Sequence, residues 1–298
     1  MENSSADNFC PPACTSNLTH RFTGKDQVKI ALAIGNSRLH WGLFAGKILE
    51  KTWDTEHLKA DAVSGLSCEE KAEYLVQTVI RSIEQISAQN LPGIPATPAV
   101  SNLHTLSVVP LALVLASVVP QQTAIWQSYP EVRIITLDQL PIGGLYPTLG
   151  IDRALALLGA GNQLGWPVLL IDAGTALTFT GADVNRGLVG GAILPGLGLQ
   201  LSSLGQKTAA LPSVSLPETL PHRWATDTAG AIHSGVVYAA VAGVRDFIQD
   251  WLRLFPNSKI AVTGGDRTLL LKYLTAAFPD TASSVIDAPA AIFWGMSH

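Results

Sequence analysis

Asp172 stands where an apolar run meets a glycine turn. Residues 168–178 read Val-Leu-Leu-Ile-Asp-Ala-Gly-Thr-Ala-Leu-Thr, so β-favouring residues flank the turn on both sides. A strand ending in a carboxylate and running into Gly174 can aim backbone amides at a ligand, a common frame for phosphate and its metal. The Thr175 hydroxyl can add a phosphate hydrogen bond or a metal contact. Asp172 can balance the cation that travels with a nucleotide. The same residues also suit a plain hairpin in which Asp and Gly only make the turn.

An earlier segment has the same plan. Val28 to Ile34 reads as a strand, Gly35-Asn36-Ser37 as a glycine turn, and the strand resumes through Leu39, Trp41 and Leu43. Aligning Gly35 with Gly174 sets Asn36 opposite Thr175 and Ser37 opposite Ala176. Two such hairpins opening two halves of a chain imply an internal duplication with a ligand cleft between the halves. A further candidate is Gly150-Ile151-Asp152-Arg153. Asp at a helix start is an ordinary N-cap. Asp152 can also accept the proton of an attacking hydroxyl, and Arg153 can hold a carboxylate by a bidentate contact.

Positioning these residues requires two lobes. A length of 298 residues suits two domains better than one core. With 47% apolar and only 14% charged residues, the chain is core-rich rather than disordered. Its net charge of −4, without a basic run, argues against nucleic acid as a partner. Three cysteines make no disulfide framework, and Cys10 and Cys14 read as incidental reduced thiols. Residues 1–27 lack the apolar segment of a secretory signal. The apolar stretch 106–119, cut by Pro110 and Pro120, is too short to span a bilayer. Cytoplasmic location and no membrane contact are expected.

Residues 1–27 read as a flexible extension, 28–148 as the first lobe and 149–298 as the second. Strands are expected at 28–34, 38–45, 47–54, 111–119 and 132–137, with a helix over 69–90 capped by Ser67 and a loop at 91–98. A turn-rich crossing at 141–147 precedes a helix over 152–162, the hairpin at 168–182 and a strand near 186–193. A helix at 197–204, a proline-rich loop at 211–223, a long helix from Asp227 or Thr228 to about Leu254, a strand at 259–263 and another helix follow. This alternation, with a three-strand meander opening each half, argues an α/β fold. Gly159-Ala160-Gly161 resembles a dinucleotide fingerprint but reads as a helix end. His40 and His233, on apolar stretches, read as satisfied structural histidines, and Lys207 and Arg223 as surface charge.

The paired hairpins resemble those of the acetate kinase, sugar kinase, Hsp70 and actin superfamily, which implies a duplicated ribonuclease H-like fold with a central cleft. Within it the chain is similar to type III pantothenate kinases. Seven short motifs occur in that family's order: Gly35-Asn36-Ser37, Ser117-Val118-Val119-Pro120, Gly150-Ile151-Asp152-Arg153, Asp172-Ala173-Gly174-Thr175-Ala176, the Gly190 to Gly196 run, Asp227-Thr228 with Gly235, and Thr263-Gly264-Gly265. The resemblance covers about residues 28–295 and implies phosphorylation of pantothenate by ATP, the first step of coenzyme A synthesis. It implies Asp152 as general base, and Gly150, Ile151, Arg153, Thr228 and Tyr146 as pantothenate contacts. It also implies Ala33, Ile34, Gly35, Asn36, Ser37, Arg38, Gly174 and Thr175 as ATP contacts, with Asp172 binding potassium or ammonium. Magnesium would arrive with ATP, and the protein would be a homodimer with pantothenate near the subunit interface.

Two positions depart from the family. Ala33 replaces an aspartate and cannot orient a metal-bound water, while Ser37 replaces threonine and keeps its hydroxyl. Tyr146 also lies closer to Gly150 than the family's substrate-contacting tyrosine. A kinase-like accessory protein that keeps the fold with weak or no turnover is the alternative.

Overall fold

Strands β1 (Val28–Ile34), β2 (Leu39–Ala45) and β3 (Ile48–Thr55) form an antiparallel meander. Its first strand continues sideways into parallel pairs with β4 (Ala112–Ser117) and then β5 (Val132–Ile134). In this computed structural model, residues 28–88 and 111–297 are described. The expected extension at 1–27 and the loop at 91–98 lie outside them.

The second half repeats that plan. β6 (Val168–Ala173), β7 (Ala176–Ala182) and β8 (Leu188–Pro195) form the meander, and β6 pairs in parallel with β9 (Lys259–Thr263), which pairs with β10 (Val285–Asp287). The two sheets run β3-β2-β1-β4-β5 and β8-β7-β6-β9-β10, the same order. The chain therefore has the duplicated ribonuclease H-like, actin-like α/β fold. In both sheets the strand feeding the glycine turn is central, and residues such as Ile30, Leu32, Leu169 and Ile171 are buried.

Helices cover the sheets. α1 (Cys68–Ala88) starts at a capping box: the Ser67 amide donates to the Glu70 carboxylate at 2.8 Å, and the Glu70 amide to Ser67 Oγ at 3.3 Å. Cys68 is disulfide-bonded; Cys10 and Cys14, expected as incidental reduced thiols, lie outside the described residues. A short helix, α2 (Pro120–Trp126), begins where the sequence suggested that the strand simply ended, with Pro120 at the first helical position. The expected strand at 132–137 stops at Ile134, and a 3₁₀ turn occupies Leu137–Gln139.

α3 (Ile151–Leu164) is followed after the second meander by α4 (Leu197–Lys207), the long α5 (Thr228–Leu254), α6 (Arg267–Ala277), the single turn α7 (Pro279–Ala282) and α8 (Ala291–Met296). By length and composition α5 is long and apolar enough to cross a membrane. Its Val237, Val241, Val244 and Ile248 instead pack with Phe179, Ile260 and Tyr273 in the core of the second half. α8 packs on α3, and with Ile151 and Leu155 of α3, Phe293 and Met296 of α8 join a cluster that includes Ala31, Ala33, Phe44, Val114 and Ala116 of the first sheet.

Gly159-Ala160-Gly161 is not a helix end; all three residues are buried within α3. A Cβ on Gly159 would lie 1.9 Å from the Ala291 carbonyl oxygen, and one on Gly295 would lie 2.1 Å from that of Leu155. Small residues here let the two backbones touch. Gly159→Ala is expected to force α8 away from α3 and cost about 1–3 kcal/mol as overpacking does, measured as a lower urea midpoint.

Candidate active site

The two glycine turns meet. In the first, the Gly35 amide donates to the Arg38 carbonyl at 3.1 Å; in the second, the Gly174 amide donates to the Ala176 carbonyl at 3.0 Å. Across the cleft between the sheets, Ser37 Oγ and Thr175 Oγ1 lie 2.9 Å apart in a hydrogen bond. The hydroxyl that pairs with Thr175 is thus that of Ser37, although the simple alignment set it against Ala176. The first turn spans four residues between Ile34 and Leu39, and the second three between Ala173 and Leu177, which accounts for the offset.

Both turns are braced from behind. The Gly196 amide donates to the Thr175 carbonyl at 2.9 Å, and a Cβ on Gly196 would lie 2.0 Å from the Gly174 carbonyl oxygen. Gly264 has φ +94°, and a side chain there would meet the Ala173 carbonyl and Asp172 Oδ1. On the first turn, His57 Nε2 donates to the Gly35 carbonyl at 2.8 Å. That contact is not legible in the sequence, because His57 lies in the loop after β3.

Asp172, near the end of β6, has a carboxyl pushed up to about 6. Burial is the main cause and the Asp152 carboxylate the second; His40 and Arg153 act in the opposite direction. No described residue donates a hydrogen bond to it. An anionic group this poorly solvated, facing a second carboxylate, suits a cation completed by carbonyl or phosphate oxygens. Among the described residues no cluster of three or more His, Cys, Asp or Glu can hold a metal without such help.

Asp152 lies in the first turn of α3, one position inside the helix, and Gly150 is the N-cap. Asp152 Oδ1 accepts the Arg153 amide at 2.8 Å, so one oxygen secures the helix start and the other receives no hydrogen bond from a described residue. A Cβ on Gly150 would stand 2.4 Å from Oδ1; the glycine is what leaves room for that carboxylate.

Arg153 differs from the expected open fork. It is buried, with Nε and Nη2 donating to Thr180 Oγ1 at 3.1 and 2.9 Å and Nη2 also to the Phe179 carbonyl at 3.1 Å. Nη1 lies 3.5 Å from the Tyr146 hydroxyl, which draws the half-exposed Tyr146 into the cluster. Thr180 went unnoticed in the sequence because it sits on β7, well removed from the helix it anchors. Thr228, first residue of α5, is not hydrogen-bonded to this cluster. It lines a 540 Å³ groove between α4 and α5 with Gln200, Leu204, Leu211 and Ile232. Its neighbour Asp227 is the N-cap, accepting the Gly230 amide at 2.8 Å.

A family model described as type III pantothenate kinase matches residues 29–250. A type III pantothenate kinase of Nostoc sp. is 53% identical over 270 residues, covering 90% of this chain and 92% of its own. One of Synechocystis sp. is 41% identical over 275 residues, covering 92% and 90%. Among solved structures, a protein described as a Baf family transcriptional activator from Campylobacter jejuni superposes with TM-score 0.52 at 19% identity, covering 90% of this chain and 94% of its own. Identity that low speaks to the fold alone and lends the accessory-protein alternative no support. With both glycine turns, the Gly-Ile-Asp-Arg helix start and a family match over most of its length, the chain belongs to the type III pantothenate kinase family.

Proposed function

We propose that this chain transfers the γ-phosphoryl group of ATP to the primary hydroxyl of pantothenate, the entry reaction of coenzyme A synthesis. The observation that carries the reading is the 2.9 Å contact between Ser37 and Thr175, which sets two glycine turns face to face beside Asp152 and Asp172. Phosphoryl transfer relies on positioning and charge neutralisation, and such turns supply both.

In this scheme Asp152 takes the hydroxyl proton through its unengaged oxygen as the alkoxide oxygen attacks the γ-phosphorus and ADP departs. Gly35, Asn36, Ser37 and Arg38 on one side, and Gly174 and Thr175 on the other, hold the phosphates. Ala33 and Ile34 form the strand end beneath the first turn. Gly150, Ile151, Arg153 and Tyr146 border the pantothenate pocket, where Arg153 Nη1 and the Tyr146 hydroxyl face each other. Asp172 would hold a potassium or ammonium ion, which would supply positive charge beside the phosphates, and magnesium would come with ATP.

A homodimer with pantothenate near the subunit interface gives Thr228 a role, since Asp152 is not among the residues that line its groove. Val189, Ile193 and Trp224 offer exposed apolar surface for a second copy, with Trp224 88% exposed. Residues 28–148 and 149–298 act as the two lobes, and the reaction takes place in the cytoplasm. No membrane or nucleic acid takes part.

The test is ADP release with pantothenate, acetate or sugars as acceptor, together with growth rescue of a bacterium lacking its own pantothenate kinase. Pantothenate-dependent release with rescue is expected. Release with another acceptor and none with pantothenate would overturn the substrate assignment.

A further inference from the structure

Ala33, His40 and Asp54 form one row across the first meander: Ala33 pairs with His40 across β1 and β2, and His40 with Asp54 across β2 and β3. Directly opposed residues on neighbouring strands project from the same face. Ala33 belongs to the cluster with Ile151, Leu155 and Phe293, so that face is turned toward α3 and α8. The corresponding row in the second sheet begins with Asp172 opposite Thr178. One half of the duplication thus places a carboxylate beneath its glycine turn, whereas the other places a methyl group with an imidazole beside it.

The His40 ring is fixed at one end only. Nδ1 lies 2.7 Å from Asp54 Oδ1, with the two side chains 41% and 48% exposed. The structural histidine expected from the sequence thus has one hydrogen-bond partner, Asp54, and a half-exposed ring. Leu39 and Trp41, its apolar neighbours, are buried, while His40 points to the other side of the strand. Its second nitrogen sits against the phosphate turn, because a Cβ on Gly35 would be only 3.4 Å from Nε2. Gly35 leaves that nitrogen uncovered. The imidazole also lies within electrostatic reach of Asp172 across the cleft, and Arg38 and Arg267 stand near Asp54.

We infer that His40, oriented by Asp54, anchors a phosphate of the bound nucleotide: Nδ1–H donates to the Asp54 carboxylate and Nε2–H to a phosphate oxygen at the first turn. The inference rests on reading the cleft as the nucleotide site. With phosphate on one side and Asp54 on the other, the ring carries both protons and brings a positive charge to the row where Ala33 offers no polar group. The arrangement is the phosphate-binding counterpart of a carboxylate-oriented imidazole. Asp54 acts only through the ring and is a positioning residue.

Calorimetry on the full chain, with a non-hydrolysable ATP analogue and with adenosine, tests this beside the kinetics of His40→Ala, His40→Gln and Asp54→Asn. Loss of a charge-assisted hydrogen bond predicts weakening of the analogue by about 10- to 100-fold in His40→Ala. Adenosine affinity and KM for pantothenate should hold. His40→Gln, which keeps a donor without the charge, should fall between. Asp54→Asn should weaken the analogue less than His40→Ala and add nothing to it in the double variant. Unchanged analogue affinity in His40→Ala and His40→Gln would overturn the inference, as would an equal loss for adenosine. If the unaltered protein bound neither ligand, the nucleotide cleft itself would be refuted and the inference with it.

Discussion

Asp152→Asn is expected to yield a folded protein that binds ATP and pantothenate yet turns over about 10²- to 10⁴-fold more slowly, the span covered by a positioned general base. Asparagine keeps the size of the side chain and an oxygen that can accept the Arg153 amide, now bonded at 2.8 Å, so the start of α3 survives. It cannot take a proton. The loss should fall on kcat, with both KM values within a few-fold. A second consequence follows from the Asp152 charge raising the Asp172 carboxyl. Removing that charge lets Asp172 ionise at lower pH and weakens the pull on a cation held there, so more potassium should be needed for half-maximal activity. Turnover near that of the unaltered protein would take Asp152 out of the proton transfer, whatever the potassium response.

Both glycine turns, the Gly150 to Arg153 helix start and most strands are legible in the sequence because each is local. A glycine, its flanking β-branched and apolar residues and a nearby cap carry the signal within a few positions. What escaped depends on distant partners. Gly159 is small because Ala291 lies against it, and nothing near Gly159 in the sequence announces α8, which at six residues is too short to show a helical period. Arg153 looked like an open ligand fork because its partner, Thr180, becomes its neighbour only once β7 folds beside α3.

The side of the strand that His40 occupies is less legible for a different reason. Its apolar neighbours suggest a buried setting, yet alternation along a strand places them on the opposite face. The pairing of His40 with Asp54 follows from the β2–β3 register, which the Ala45-Gly46 turn helps to set but does not determine, since the pairing also shifts between Leu43 and Phe44. The duplication could be read as two similar turns, but the contact between Ser37 and Thr175 depends on the unequal turn lengths.

Asp172→Asn separates the cost of this carboxylate from its use. An ordinary aspartate ionises near pH 4 in the unfolded chain, whereas here the carboxyl is raised to about 6. Between those values the folded protein holds the extra proton, so the site's stabilising contribution is fully present below about pH 4 and is lost as pH rises to about 6. Above that the folded protein carries a buried anion facing Asp152, and a bound cation would offset the repulsion. At pH 7.5 without potassium, Asp172→Asn should therefore melt higher than the unaltered protein. Potassium should raise the melting temperature of the unaltered protein at pH 7.5, raise it much less at pH 5, and leave that of the variant unchanged. Activity should move the other way: potassium activation disappears and turnover falls by about 10²-fold, as when a preorganised electrostatic contact at a reaction centre is removed. A variant that melts higher but still responds to potassium would assign the cation to other oxygens in the cleft. One that melts lower would mean that the Asp172 carboxylate is stabilised by its surroundings, contrary to the charge balance drawn here.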